Sequence, residues 1–350
     1  MKKFILIASM LVIVLTLVGC GNGATDNGDA NGNEIANGNE AANGSDAFSI
    51  SALEAAENIS AEWNESTKKF AQPNPAGRDA CAACHDGTVY ATGVFTDPEE
   101  FDDLRIHTTG LDCQACHTGT GKEVMDSGVV SLAWFDDNDI NHFFDADYSA
   151  GTAALCISCH TGRQDPVANR DSQSGAFVHY AAPAAINTGI GGMEYAGVDY
   201  ASTAIHANLQ DSCVSCHMPE TEDGYKVHSF APDNAYIDNA CGTCHPGWTD
   251  FNETGLKDTV AVNLELLNAT IVDFIDGAVS VSFGRGGGVE MEDGDTVGWN
   301  DESVPLEAYI AAYNYYLILN DGGAYAHNPA YVKSLMDESL KGLSGETFDW

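Results

Sequence analysis

The chain has 350 residues, 44% of them hydrophobic, and its 14 Lys and Arg face 52 Asp and Glu, which gives a formal net charge of −38. This acidity excludes nucleic acids and acidic membrane surfaces as electrostatic partners, because both repel a strongly negative protein. Eleven cysteines and eleven histidines are the other notable feature of the composition, and most of them fall in one repeated motif.

The first 20 residues predict an export signal. Two lysines precede an apolar run from Phe4 to Val18, which is shorter than the roughly 20 residues that span a bilayer. The run ends in Leu-Val-Gly-Cys20, which resembles the lipobox of bacterial lipoproteins, where the cysteine becomes the lipid-modified first residue. We therefore expect a protein anchored through Cys20 outside the cytoplasm, in the periplasm, at the outer membrane or at the cell surface.

Two different segments follow the predicted signal. Residues 21–47 are rich in Gly, Asn and Asp and lack apolar periodicity, so we expect a disordered tether. Ordered structure is predicted to begin near Phe48 with a packing helix that Ser49 or Ser51 can cap. Apolar residues recur there at helical spacing, at Ile50, Leu53, Ala56, Ile59 and Trp63.

Five Cys-x-x-Cys-His motifs organise the middle of the chain. In this motif the two thiols add to the vinyl groups of a haem and the histidine becomes the proximal iron ligand. Zinc ribbons, thioredoxin-type redox pairs and disulfide frameworks also use paired cysteines, but none explains a histidine after every pair. The motifs use every cysteine except Cys20, so the sequence predicts five c-type haems, at Cys81-Ala-Ala-Cys84-His85, Cys113-Gln-Ala-Cys116-His117, Cys156-Ile-Ser-Cys159-His160, Cys213-Val-Ser-Cys216-His217 and Cys241-Gly-Thr-Cys244-His245.

Six histidines remain as candidate sixth ligands of the irons. Five irons need at most five such ligands, so every haem can have two histidine ligands with one histidine left over. A methionine ligand is the alternative and would raise the reduction potential of its haem. The six candidates are His107, His142, His179, His206, His228 and His327.

The segment between the first and fourth motifs has short apolar runs and frequent Pro, Gly, Asp and Asn. Covalently bound macrocycles can supply the apolar core that side chains provide elsewhere. We therefore predict a mostly α, loop-rich multihaem cytochrome c, with the five haems as the core of a domain over residues 48–250.

Residues 251–350 are predicted to form helices packed on the haem domain as a C-terminal cap. An apolar stripe predicts a long helix from Leu256 to Ile275, and the glycines at 284–288 predict a flexible loop. Pro305 is predicted to open a helix whose tyrosines pack in the core, and Asn328-Pro329 a last helix that ends at Gly342.

Part of the chain resembles pentahaem ammonia-forming nitrite reductases, and related modules occur in octahaem tetrathionate reductases and hydroxylamine oxidoreductases. The resemblance implies that His206 ligates the fifth haem, His228 the second and His327 the fourth. His107, His142 and His179 then serve the first and third haems, with one left over. The features that carry the resemblance are His206-x6-Cys213-Val-Ser-Cys216-His217-Met218-Pro219, His228, Cys241-Gly-Thr-Cys244-His245 and His327-Asn328-Pro329.

Other features depart from that family or point to a second one. The first motif ends in His85 where the nitrite reductases usually have lysine, no histidine precedes Cys81, and Thr161-Gly162-Arg163-Gln164-Asp165 replaces the substrate-handling tyrosine and histidine after the third motif. The stretch from His179 to Gly197 is similar to segments common in multihaem cytochromes of metal-reducing bacteria. The resemblance thus supports the haem scaffold and not the nitrite chemistry.

We expect an electron carrier of anaerobic respiration or extracellular electron transfer rather than an enzyme. Its expected partners are other redox proteins, quinol-linked or multihaem, and mineral or other extracellular acceptors. One alternative is a haem oxidoreductase that reduces nitrite, hydroxylamine or a sulfur oxyanion at an open iron, with the first haem as its site. Another is a filament subunit whose spare histidine coordinates a haem of the neighbouring subunit.

Overall fold

The computed structural model describes residues 50–69, 73–93, 109–137, 142, 144–163, 165–172, 175–180, 182–202, 204–209 and 211–350. These residues belong to one unit, Ala47–Trp350. The predicted signal peptide, the predicted tether, Cys20 and His107 lie outside the described residues. No helix within the described ranges is both long enough and apolar enough to cross a membrane.

The first helix, α1 (Ala52–Glu65), confirms the prediction from the apolar spacing. The hydroxyl of Ser51 accepts a hydrogen bond from the backbone N–H of Glu54 at 3.2 Å, which caps the helix as expected. The backbone N–H of Ser66 ends the helix by donating to the carbonyls of Glu62 and Trp63. A 3₁₀ turn, Thr67–Lys69, follows directly.

Short helices occupy the region around the motifs, which is more helical than the sequence indicated. Four of the five motifs lie on such helices, because cysteines three residues apart project from one face of a helical turn. A small antiparallel pair, β1 (Val129–Val130) with β2 (Tyr148–Ser149), lies between the second and third motifs. The helices are α2 (Pro73–Ala76), α3 (Asp79–His85), α4 (Gly87–Thr92), α5 (Cys113–His117), α6 (Gly119–Ser127), α7 (Leu132–Asp137), α8 (Ala154–Cys159), α9 (Pro166–Ser172), α10 (Pro183–Thr188), α11 (Ala204–Ala207), α12 (Ser212–His217) and α13 (Ile237–Ala240).

A cluster of mostly small buried side chains surrounds the first three motifs. Ala82, Ala83 and Ala115 lie between the cysteines of their motifs and are at most 1% exposed. Tyr90, Phe135 and Phe144 are the aromatic residues buried in this cluster. Because alanine has a small side chain, these positions let the helices approach closely. They also contribute little apolar volume to the interior of this cluster.

Three long helices dominate the C-terminal part: α14 (Leu256–Phe274), α15 (Leu306–Asn320) and α17 (Pro329–Ser344), with the short α16 (Ala324–His327) between the last two. The predicted stripe of α14 is confirmed, since Val260, Leu264, Leu267 and Ile271 are all buried against the other helices. The tyrosines of α15 also lie in this core as predicted: Tyr309, Tyr313 and Tyr316.

The prediction of an all-helical cap is wrong for residues 278–298, whereas the glycines at 284–287 do lie in a loop as predicted, between two strands. Residues 278–298 form a three-stranded antiparallel sheet of β3 (Ala278–Val281), β4 (Gly288–Met291) and β5 (Thr296–Gly298) in the order β3-β4-β5. Val289 of the central strand pairs with Val281 and Val297. Next to the sheet, the indole N–H of the fully buried Trp299 donates to the carbonyl of Ser282 at 2.9 Å.

Two predicted helix ends shift. Pro305 is the residue before α15 rather than part of its first turn. Helix α17 continues past Gly342 to Ser344 and is capped by Gly345, which adopts a left-handed φ of 80°. Gly342 lies within the helix against the ring of Tyr195, where a Cβ would collide with the phenol oxygen. Its role is therefore close packing and not helix termination.

Candidate haem sites

Among the described residues, the structure places a second histidine ring opposite the motif histidine at the first, second, fourth and fifth motifs, with interplanar angles from 28° to 76°. The distances between ring centroids fall between 6.1 and 6.3 Å. The two residues of each pair stand between 39 and 111 positions apart in the chain, so the pairs result from the fold and not from local structure. The pairs are His85 with His179, His117 with His228, His217 with His327, and His245 with His206.

This spacing fits an iron atom between two imidazoles. Metal–imidazole bonds are about 2.0 Å long and the ligating nitrogen lies about 1.1 Å from the ring centre, so two axial imidazoles have centroids about 6.2 Å apart. Rings that packed directly on each other would lie closer, as Trp248 does at 4.0 Å from His245. The paired histidines therefore fit the c-type haem that the adjacent cysteines imply.

Hydrogen bonds at Nδ1 fix the orientation of most of these rings. The Nδ1–H groups of His179, His206 and His228 donate to the carbonyls of Tyr180, Ala326 and Lys226 at 3.0, 2.7 and 2.6 Å. A carbonyl can only accept, so the proton is on Nδ1 and Nε2 is left with its lone pair. This is the tautomer that binds a metal through Nε2.

The imidazole rings of His217 and His327 also donate a hydrogen bond through Nδ1. Nδ1 of His217 donates to the carbonyl of Phe230 at 2.9 Å. Nδ1 of His327 donates to the carboxylate of the buried Asp321 at 2.8 Å. Asp321 is a residue that the sequence alone did not point to, although it stands only six positions before His327.

The electrostatic surroundings favour neutral imidazoles at several of these sites. Burial, helped by the charge of Arg163, lowers the pKa of His179 to about 4 and also lowers that of its partner His85. Burial likewise lowers the pKa of His217 and of His228. Neutral imidazole is the form that binds metals, so ligand binding at these positions needs no further loss of protons at neutral pH.

The cysteine thiols show which motifs are neighbours. A hydrogen bond from Cys159 lowers the pKa of the Cys84 thiol, which links the third motif to the first. A hydrogen bond with Cys156 lowers the pKa of Cys213 to about 7, which links the third motif to the fourth. The third motif therefore lies next to both the first and the fourth, in the same buried cluster.

The third motif histidine has a different neighbour. Nε2 of His160 lies 2.7 Å from the amine of Lys68, which stands 92 residues earlier. The remaining candidate His142 stacks on Phe135 at 5.0 Å, and its Nε2 lies 3.8 Å from the carboxylate of Asp136. Among the described residues, then, the structure does not bring His142 to a motif histidine, and His107 lies outside them.

Two aspartates next to the motifs, the buried Asp86 and the partly buried Asp211, tie neighbouring sites together. Asp86, directly after His85, caps α4 and also accepts from the backbone N–H of Thr109, just before the second motif, at 2.9 Å. Asp211, before the fourth motif, accepts from the hydroxyl of Thr152, just before the third motif, at 2.9 Å. These hydrogen bonds hold consecutive motifs in fixed positions relative to each other.

The segment with the second, third and fourth motifs matches a family model. Residues 94–229 match the family described as outer membrane cytochrome MtrC/MtrF-like, domains II/IV. C-type polyheme cytochrome OmcB of Geobacter sulfurreducens is 24% identical in an alignment that covers 83% of this chain and 48% of the relative. The chain is a multihaem c-type cytochrome.

Other relatives are similar to the cytochrome over comparable lengths. OmcC of Geobacter sulfurreducens is 25% identical, covering 76% of this cytochrome and 43% of the relative. The chain thus spans about half the length of the curated relatives it matches. Covalently bound haem is implied by these relatives, and the paired cysteines are the groups that attach it.

Two solved structures are similar to the cytochrome at a coarse level. Outer cell wall cytochrome OcwA matches with a TM-score of 0.47 and 18% identity, covering 81% of this chain and 50% of that one. The undecaheme cytochrome from the S-layer of Carboxydothermus ferrireducens matches with a TM-score of 0.45 and 15% identity, covering 79% and 40%.

Proposed function

We propose that this cytochrome carries electrons at the cell envelope, in anaerobic respiration or extracellular electron transfer. Five haems would attach at the five motifs, and at least four of them would have two histidine ligands. The observation that carries the proposal is the set of four histidine pairs with ring centroids 6.1 to 6.3 Å apart.

Two histidine ligands suit electron transfer better than catalysis. Bound haem supplies reversible one-electron oxidation and reduction at its iron. At each of these four sites the second imidazole is held at Nδ1 by a backbone carbonyl or by Asp321, so this ligand does not have to move when the charge at the site changes. An iron with both axial positions filled offers no place for a substrate to bind.

The alternative of a reductase with an open first haem finds no support at that site. The ring of His179 lies 6.2 Å from that of His85, so the first motif already faces a second imidazole. The Nδ1–H of His179 is bound to the Tyr180 carbonyl, which keeps the ring in place. A substrate would have to displace a ligand that the backbone holds.

The position of the motifs supports passage of electrons through the protein. Side chains of the first four motifs pack in or against one buried cluster, among them Cys84, Ala115, Ile157 and Cys213. Cys113 of the second motif and Cys244 of the fifth are exposed, whereas Cys84 of the first is buried. We infer that the second and fifth sites exchange electrons with partners and that the third connects the interior sites.

The location and partners follow from the sequence and the relatives. The export signal, lipidation at Cys20 and the tether 21–47 would place the cytochrome outside the cytoplasm on a membrane anchor. The matched family is named for outer membrane cytochromes, and the matched relatives are polyheme cytochromes. The partners we propose are quinol-linked or multihaem redox proteins and mineral or other extracellular acceptors.

The test combines a haem count with electron paramagnetic resonance on the oxidised, haem-loaded protein. We expect five haems per chain by the pyridine haemochrome assay and low-spin iron at all of them. Reduced protein should lose its electrons to a soluble ferric chelate. One haem equivalent of high-spin iron that responds to nitrite or hydroxylamine would overturn the proposal in favour of a reductase.

A further inference from the structure

We propose that Trp248 is a positioning residue for the fifth haem: its indole holds the imidazole of His245 nearly at right angles to that of His206. The inference deepens the proposed function and rests on it in one respect, since it requires a haem at Cys241, Cys244 and His245. It goes beyond that function because it gives one site a distinct electronic structure and names the side chain that produces it.

The angle between the two imidazoles separates the fifth site from the other described pairs. The ring planes of His245 and His206 are 76° apart. The corresponding angles at the second, fourth and first sites are 28°, 38° and 51°. When both rings bind one iron from opposite sides, this interplanar angle is the angle between the two axial ligand planes. Among the described pairs, the fifth site therefore comes closest to perpendicular ligands.

The indole of Trp248 lies flat on the imidazole of His245. The ring centroids are 4.0 Å apart and the two planes are inclined by 19°, which is a stacked arrangement. Rotation of the imidazole about its Cβ–Cγ bond would push the edge of the ring into the indole. The stack therefore fixes the plane of the His245 ring.

The chain between these two rings forms a turn that brings them together. Pro246 and Gly247 separate His245 from Trp248, and the backbone N–H of Trp248 donates to the carbonyl of His245 at 3.4 Å. Gly247 has a φ of 85°. Proline followed by a residue with positive φ is typical of a type II turn, and glycine adopts that φ without strain. The turn returns the chain towards the motif and places the indole over the imidazole.

The second imidazole of the site is fixed by a different part of the chain. Nδ1 of His206 donates to the carbonyl of Ala326 at 2.7 Å, and Ala326 belongs to the short helix α16. A hydrogen bond to a ring N–H is strongest when the acceptor lies in the plane of the ring, so this carbonyl fixes the plane of His206. Because each ring has its own restraint, the fold sets the angle between them.

Nearly perpendicular imidazoles change the electronic structure of a low-spin ferric haem. Parallel ligand planes interact with the same iron d orbital and so separate the two d orbitals of π symmetry in energy. Perpendicular planes interact with one orbital each and leave the two nearly equal. The electron paramagnetic resonance signal is then highly anisotropic instead of rhombic. Perpendicular ligands also stabilise ferric iron less, which raises the reduction potential at a site whose Cys244 is exposed to partners.

The test is electron paramagnetic resonance of the full, oxidised, haem-loaded protein. In the unmodified protein we expect a highly anisotropic low-spin signal in addition to rhombic ones. This measurement does not depend on any variant folding. Only rhombic signals from five low-spin haems would overturn the inference and leave the proposed function intact. The proposed function fails on a different observation, high-spin iron, so the two failures are distinguishable.

Variants at Trp248 assign the signal to the fifth site. Trp248→Leu should remove one haem equivalent of the highly anisotropic signal, because leucine has no flat face to hold the imidazole. Trp248→Phe should retain it, because a phenyl ring can stack in the same place. Trp350→Leu is the matched control, since that indole packs on Phe348 instead of a motif histidine. An unchanged spectrum in Trp248→Leu, with five haems still bound, would overturn the inference. So would an equal loss of the signal in Trp350→Leu.

Discussion

His327 and Asp321 form a hydrogen bond inside the protein, with Nδ1 of the imidazole 2.8 Å from a carboxylate whose side chain is 3% exposed. Burial by itself lowers the pKa of His327, but the hydrogen bond and charge of Asp321 outweigh it, so the pKa is raised. The ring of His327 faces that of His217 at 6.1 Å. At the other described pairs the second histidine donates to a neutral backbone carbonyl. Because a carboxylate is a stronger acceptor than a carbonyl, His327 is the most strongly electron-donating of these four second imidazoles.

Replacing Asp321 should therefore raise the potential of one haem. A carboxylate partner makes imidazole a stronger electron donor and stabilises ferric iron, and Asp321→Asn weakens that effect. We expect an increase on the order of 60 mV, a tenfold change for a one-electron couple, in a spectroelectrochemical titration. Asp273→Asn, at an exposed site of α14, makes the same change of charge as a control. Equal shifts in both variants would contradict a local role for Asp321.

Glu62 should stabilise the loop that carries His228. Its two carboxylate oxygens accept from the backbone N–H of His228 at 2.7 Å and from the hydroxyl of Tyr225 at 3.2 Å. Glu62→Ala leaves both donors without this partner, and we expect a loss of about 1–3 kcal/mol in the free energy of unfolding. Denaturant unfolding of the haem-loaded protein measures it. Glu57→Ala, on the exposed face of the same helix, should have little effect.

The candidate haem sites could be predicted from the sequence more completely than the surrounding fold. The Cys-x-x-Cys-His pattern identifies the five candidate attachment sites. The family resemblance predicts, for three of the four second histidines, which motif histidine each one lies opposite. His206, His228 and His327 lie opposite His245, His117 and His217 as the resemblance implies. Their bonding to iron stays a prediction.

Other features left no recognisable pattern in the sequence. The contact of Lys68 with His160 joins residues 92 positions apart, and a single lysine has no motif. The strands at 278–298 are three or four residues long, and the glycines between them obscured their alternation of valines. His179 was one of three equal candidates, since nothing in the sequence showed which histidine the fold brings to His85.

Asn314 should be a major determinant of stability in the C-terminal core. It is 1% exposed; its oxygen accepts from the backbone N–H of Met193 at 2.8 Å and its amide donates to the Met193 carbonyl at 3.0 Å. Asn314→Leu keeps the volume but leaves both backbone groups buried and unpaired, which should cost about 2–4 kcal/mol. Asn300→Leu changes an exposed asparagine, and a similar loss there would argue against this role.

His142 and His179 should respond differently to the same substitution. His142 stacks on Phe135 with ring centroids 5.0 Å apart, and within the described part of the chain it does not lie opposite a motif histidine. We expect His142→Phe to keep all irons low-spin, whereas His179→Phe should convert one haem equivalent to high-spin iron, because His85 loses the imidazole opposite it. Electron paramagnetic resonance of the oxidised variants measures both. High-spin iron in His142→Phe would instead identify His142 as a ligand, since phenylalanine preserves the packing and removes only the ring nitrogens.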